Sequence, residues 1–244
     1  EPLLQDLSKE EISYRIKEYI KDTIDAHLLS DAKLGLFLSG GIDSSTIAGF
    51  CAEKTKLDTI TLCFEEYKNS INDESQKTKI IIDKFDLKNE KLFISKDQFL
   101  NDLPQFFVDM DQPSIDGINT WLISKFAKSL NWKVALSGVG ADEIFAGYSS
   151  FSDIPKWVKS FNFISKNKFF SNSLSKLLNL MPLGYFNLSP KTNGIFKYSY
   201  SYESCYLLKR GLFLPEELPK IMPEDQLMEG LKDLNLIGKY NENS

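Results

Sequence analysis

The chain has 244 residues, 42% of them hydrophobic, with 29 basic against 34 acidic side chains. It can bury a sizeable core, and its length lies between one large domain and two small ones. A formal charge of −5 argues against a protein that works mainly by wrapping phosphate backbones, since that needs a basic face, so no nucleic-acid partner is expected.

Residues 8–29, "SKEEISYRIKEYIKDTIDAHLL", set Ile12, Ile16, Ile20 and Ile24 on one helical face, with Ser8 and Glu11 as a capping box. "LGLFL" at 34–38 predicts a buried strand, and "STIAGFCAEK" predicts the helix after it. "DTITLCF" (58–64) reads as a strand, "ESQKTKIIIDKF" (74–85) as a helix and "KLFIS" (91–95) as a strand. "QFLNDLPQFFVDM" (98–110) predicts a helix around Pro104, "NTWLISKFAKSL" (119–130) an amphipathic helix and "KVALS" (133–137) a fourth strand.

Strand and helix alternate four times, which predicts an α/β fold with a doubly wound, Rossmann-like parallel sheet and right-handed crossovers. The expected strand order is 3-2-1-4, with strands one and four adjacent at the topological switch point. From about residue 150, Phe, Ser, Asn and Lys dominate and strand alternation ends. The expected division is a core at 1–150 and a truncated, partly helical C-terminal region of short helices at 151–244.

Cys51, Cys63 and Cys205 form no CxxC pair, so neither a disulfide framework nor a zinc site is expected, and a reducing cytoplasm fits. His27, the single histidine, reads as a helix-surface residue near a C-terminus, which removes His-based triads. No apolar run approaches the ~20 residues of a membrane span, and no membrane partner is expected.

Two stretches carry the chemistry. In "LFLSGGIDSSTIAGF" (36–50), Gly40 and Gly41 interrupt the chain where a parallel strand turns into a helix. Glycines let a ligand approach the backbone amides, Ser39, Ser44 and Ser45 add hydroxyls, and the helix start carries unpaired N–H groups. This is an anion cradle, yet Asp43 places a carboxylate inside it. That is repulsive unless a divalent cation arrives with the anion, and Mg²⁺ with a nucleotide supplies one. A Walker A loop would need a lysine and a dinucleotide fingerprint would need GxGxxG; neither is present.

"VALSGVGADEIFAGY" (134–148) repeats the pattern, with Asp142 five residues after Ser137 as Asp43 is four after Ser39. Were these carboxylates ~6 Å apart, they would repel by about 3 kcal/mol at an effective dielectric of ~20, and a shared Mg²⁺ reverses the sign. Asp43 and Asp142 are therefore the candidate metal ligands.

SGGIDSS resembles the SGGxDS loop of the N-type ATP pyrophosphatases, and "SGVGADEIFAGY" resembles the second signature of asparagine synthetases and their β-lactam synthetase relatives. The likeness runs through "NDES" (72–75) and "MDQPSIDGINTWLISKFAKSL", covers roughly residues 8–150, and extends weakly to "YLLKRGLFLPEEL" (206–218). It implies an adenine nucleotide alpha hydrolase-like core that activates a carboxylate with ATP as an acyl adenylate, releasing pyrophosphate, before ammonia attacks to give an amide. By the resemblance, Ser39, Gly40, Gly41, Asp43, Ser44 and Ser45 hold pyrophosphate and metal. Leu38, Leu62, Ser137 and Gly138 contact adenine and ribose, and Asp142 is the second metal ligand. The carboxylate substrate lies over "SIDGINT", where Asp116, Asn119 and Thr120 serve equally as cap and turn residues.

Three departures bear on this reading. Val139 stands where many asparagine synthetases have Glu, which puts aspartate as substrate in doubt. "DGINTW" with "SGVGADE" looks more like a branch found in cell-surface polysaccharide pathways, where the acceptor would be a sugar acid. The family's glutaminase domain is missing, so free ammonia or that partner is required; a homodimer is the assembly left open. The essential lysine of the family's C-terminal part has two candidates, Lys197 and Lys209, of which Lys197 is taken as catalytic. Two alternatives remain: an ATP-binding module inactive as a fragment, and a tRNA-modifying ATP pyrophosphatase, which would want a basic surface and reactive thiols.

Overall fold

The structure, a computed structural model, describes residues 7–112, 114, 116–167 and 194–233. The chain divides into two compact units, Glu1–Gly140 and Ala141–Ser244.

The first unit opens with helix α1 (Lys9–His27), followed by strand β1 (Leu34–Phe37), α2 (Ile42–Ala52) and β2 (Asp58–Phe64). Then come a 3-10 turn at Glu65–Tyr67, α3 (Glu74–Phe85), β3 (Lys88–Ile94), α4 (Lys96–Asp109), α5 (Gly117–Ser129) and β4 (Val134–Leu136). The four strands are parallel in the order β3-β2-β1-β4. That is the expected order, and it puts the C-terminal ends of β1 and β4 side by side, with Leu36 paired to Leu136.

Both sheet faces are covered, which explains why β1 and β2 read as near-continuous apolar runs. On one face Leu36 and Leu38 pack with Ile24 of α1, Ala48 and Cys51 of α2, and Ile81, Ile82 and Phe85 of α3. On the other, Ile60 packs with Ala127 of α5 and with Trp132. Leu36 and Leu38 are fully buried, and each contributes about 1.5–3 kcal/mol of transfer free energy.

The polar residues of β2 are satisfied across the sheet. Asn89 on β3 donates its amide to the hydroxyls of Thr59 (2.9 Å) and Thr61 (3.0 Å), and Thr61 donates onward to the Leu38 carbonyl (2.9 Å).

Helix starts follow the side chains available. Ser8 accepts from the Glu11 amide (3.1 Å), so half of the capping box forms, while the Glu11 carboxylate turns outward to Arg15 (2.9 Å). The apolar stripe of α1 is buried only toward its C-terminal end: Ile24 is in the core and Ile16 is exposed. His27 ends that helix on the surface, its Nδ1 bonded to the Thr23 carbonyl (2.8 Å).

In the second unit the described elements are α6 (Ala141–Phe145), α7 (Ser150–Lys166), α8 (Ile195–Tyr198), α9 (Tyr202–Arg210), a 3-10 turn at Leu218–Lys220 and α10 (Glu224–Asp233). The expected helical character holds. The expectation of short helices fails for α7, which runs 17 residues. Its buried positions Ile154, Val158 and Ser165 follow helical spacing. Ile154 and Val158 pack against Cys205 of α9, and Tyr198 of α8 packs with Leu208 and Leu214.

Candidate active site

The first loop is organised around one hydroxyl. Ser44, 5% exposed, lies in the first turn of α2. Its Oγ accepts the Ser39 amide (3.1 Å), meets the Ser39 hydroxyl (3.0 Å) and is within donating distance of the Ser39 carbonyl (2.9 Å) and the Gly41 carbonyl (3.3 Å). Ser45 donates to the Gly41 carbonyl (2.7 Å), and the Gly41 amide donates weakly to Ser39 Oγ (3.3 Å). The three serines therefore shape the loop, and the anion donors proper are backbone amides.

The helix begins at Ile42, three residues earlier than the sequence pattern suggests, with Gly41 as N-cap and no side-chain cap. The first amides of α2 thus have neither an intrahelical acceptor nor a capping side chain, and the helix dipole adds partial positive charge there. Asp43 lies within this turn, half-buried. An acidic residue at a helix start is favourable by itself. Asp43 is thus the acidic side chain of that first turn.

The second loop arrives at the same place. A Cβ built on Gly138 would stand 2.9 Å from Asp43 Cβ and 2.9 Å from the Ser44 amide nitrogen. Only a glycine lets the chain leaving β4 pass this close to the start of α2. Ser137, exposed, accepts the Val139 amide weakly (3.3 Å), and Val139 itself is 87% exposed. The first unit therefore brings together Ser39, Gly40, Gly41, Asp43, Ser44, Ser45, Ser137 and Gly138. Leu38 lies under them at 1% exposure, its amide bonded to the Ile60 carbonyl and its own carbonyl to Thr61, while Leu62 is half-buried on β2.

One residue of this site was not singled out from the sequence. The Gly40 amide donates to Glu74 Oε2 (2.7 Å), across 34 residues of chain. "NDES" carried a family likeness, but no local pattern shows that its glutamate reaches a loop on another element.

The remaining candidates lie at the start of α5 or in the second unit. Asp116 takes the N-cap position of α5 without a side-chain cap, and the Gly117 amide bonds to Ser114 Oγ (2.9 Å); Asn119 and Thr120 are exposed. Asp142 lies half-buried on α6, four residues beyond Gly138 in sequence. Its carbonyl accepts the Gly147 amide (2.9 Å), and a Cβ on Gly147 would come within 1.9 Å of its Oδ1, so that glycine makes room for the carboxylate. Lys197 pairs with Glu216 (3.1 Å), and Lys209 pairs with Asp153 (2.8 Å) over the Trp157 ring.

The second unit also holds a cavity of about 960 Å³ walled by Tyr148, Phe151, Tyr202 and Tyr206. Arg210 lies 4.6 Å over the Tyr148 ring, and Tyr148 donates to Glu143 (2.9 Å), the bond that chiefly raises the Tyr148 pKa. Neither Asp142 nor Lys197 lines it.

The thiols are inert. Burial, with Asp25 nearby, pushes Cys51 up to about 11, burial pushes Cys63 up to about 11, and burial also raises Cys205. Among the described residues no three His, Cys, Asp or Glu side chains converge to form a self-sufficient metal cage.

Residues 15–196 match the model of the asparagine synthase family. The chain is 35% identical over 141 residues to asparagine synthetase [glutamine-hydrolyzing] 1 of Bacillus subtilis, covering 57% of this chain and 22% of that protein. Against putative asparagine synthetase [glutamine-hydrolyzing] 2 of Methanocaldococcus jannaschii it is 34% identical over 138 residues, 54% of this chain and 26% of the relative. A putative asparagine synthetase of Mycobacterium bovis aligns over 86% of this chain at 28% identity and 31% of its own length. The chain thus spans between a fifth and a third of these curated relatives. Its loop pair and the family match agree: this chain belongs to the asparagine synthase family.

Proposed function

We propose that the chain is the ATP-using part of an amide ligase: ATP and a carboxylate form an acyl adenylate with release of pyrophosphate, and ammonia then displaces AMP to give the amide. The observation that supports this most directly is Gly138 seated against Asp43 and the Ser44 amide, which joins two glycine loops at one uncapped helix start. The α2 amides and Gly41 bind the departing pyrophosphate, and Asp43 and Asp142 are the carboxylates that would hold Mg²⁺. Such an ion would supply charge neutralisation at the phosphates. Catalysis by the protein is positioning and charge stabilisation, with Ser44 fixing the loop so that its amides point at the anion. Leu38, Leu62 and Ser137 are taken to border the adenosine, and Lys197 is taken as the catalytic cation.

Val139, where many asparagine synthetases have Glu, puts aspartate in doubt as the acceptor, and a sugar acid of surface polysaccharide synthesis is the acceptor proposed in its place. Val139 offers no charge to a substrate ammonium, and its side chain is almost wholly exposed on the second loop. The buried, high-pKa thiols speak against a sulfur-transferring, tRNA-modifying relative. The ammonia comes from a glutaminase partner or from solution, in the cytoplasm where ATP is available; among the described residues no helix is long and apolar enough to cross a membrane.

The test is exchange of labelled pyrophosphate into ATP, measured across aspartate, other amino acids and uronic acids. Exchange dependent on a carboxylate and lost in Asp43→Asn and in Asp142→Asn is expected. ADP as the product, or exchange that survives either substitution, would end this reading.

A further inference from the structure

The amide of Gly40 does not face open solvent: it donates to Glu74 Oε2 at 2.7 Å. Glu74 is the first residue of α3, and it is held firmly. Asp73, the N-cap, is buried and accepts the Ser75 amide (2.9 Å), the Ser75 hydroxyl (2.6 Å) and the Asn69 amide (2.7 Å). The other Glu74 oxygen faces the Lys77 ammonium at 3.4 Å. The Lys77 stem fills the space beside Gly40, where an added Cβ would be 2.2 Å from Lys77 Cβ and 2.8 Å from its Cδ. The first turn of α3 is thus a bracket with two contacts on one peptide of the loop.

We infer that Glu74 is a positioning residue for the anion loop: by accepting the Gly40 amide it fixes the Ser39–Gly40–Gly41 backbone, so that the amides at the start of α2 remain aimed at the phosphate. This rests on the reading of the loop as the site of Mg-ATP. Fixing a glycine pair is worth a dedicated contact, because glycines lose the most conformational freedom on ordering. Glu74 need not touch the ligand to do so.

The experiment compares Glu74→Ala with Glu74→Gln in the full chain, reading Mg-ATP affinity by calorimetry and Gly40 amide exchange by NMR without nucleotide. Glutamine keeps an oxygen that can accept the Gly40 N–H; alanine does not. In Glu74→Ala, affinity should fall and Gly40 exchange should rise, each by about tenfold, the scale of one hydrogen bond to a charged group. Glu74→Gln should recover most of both.

Alanine binding Mg-ATP as tightly as glutamate, or more tightly, would make Glu74 a competitor for the amide and overturn the inference. So would a glutamine variant as poor as alanine, which would leave charge rather than the bond as the cause. A wild type that binds no Mg-ATP would sink the proposed function alone. Gly40 exchange then decides for Glu74, and equal rates in wild type and Glu74→Ala would overturn its role.

Discussion

Gly138 lies so close to Asp43 that a single added carbon would stand 2.9 Å from the aspartate's own Cβ. The same carbon would press on the Ser44 amide nitrogen, and neither neighbour is the free end of a flexible side chain. Gly138→Ala is expected to push the second loop off the start of α2, costing about 1–3 kcal/mol of stability as overpacking does. Mg-ATP affinity should fall at least about tenfold. Thermal melting and calorimetry check the two effects separately, and unchanged affinity would mean that the two loops do not share a ligand.

Asp43→Asn is nearly isosteric and leaves the Ser44 hydroxyl network in place. Its expected signature is a melting temperature close to wild type with pyrophosphate exchange reduced by a factor on the order of 10², the scale of losing one preorganised charge contact. Titrating Mg²⁺ against exchange checks the cause: the variant should need more metal, whereas a loss independent of Mg²⁺ would assign Asp43 another role.

The fold core has its own sensitive point at Gly35 on β1, where an added Cβ would come 2.0 Å from the Trp132 ring. Trp132 belongs to the core on that face, so the indole cannot swing away without opening a void. Gly35→Ala should destabilise the chain by about 1–3 kcal/mol or prevent folding, read as a shifted urea midpoint.

Much of this architecture was legible because its signals are local. The apolar runs of β1 and β2, separated by helical stretches, point to a parallel sheet covered on both faces, and the observed order β3-β2-β1-β4 is the doubly wound one. The two loops were visible for the same reason, each being a glycine break at a strand end. What escaped was non-local or masked by composition. Glu74 acts on a glycine 34 residues away, and a helix start at Ile42 is hard to read where the capping residue is a glycine rather than Ser or Asp. In α7 the apolar positions sit among Ser, Asn and Lys, and Pro155 falls inside the helix.

Asp73 gives the chain a defined acid response. The Ser75 hydroxyl, then the Asn69 amide, hold its carboxyl below the usual range. A carboxyl depressed in the folded state contributes stability that is complete above its unfolded value of about 3.9 and is lost as pH falls through the lower folded value. Denaturant melts at pH 5 and pH 3 should show a steeper acid loss for wild type than for Asp73→Asn. Parallel losses would show that the α3 cap does not govern that limb.

The Ser44 hydroxyl contributes one thing more. Because it ties the Ser39 and Gly41 peptides together within the protein, the cradle is already assembled before any ligand reaches it. Such preorganisation spares an incoming anion the entropic penalty of shaping a glycine turn, so association should proceed as a simple single-step encounter without a slow rearrangement phase.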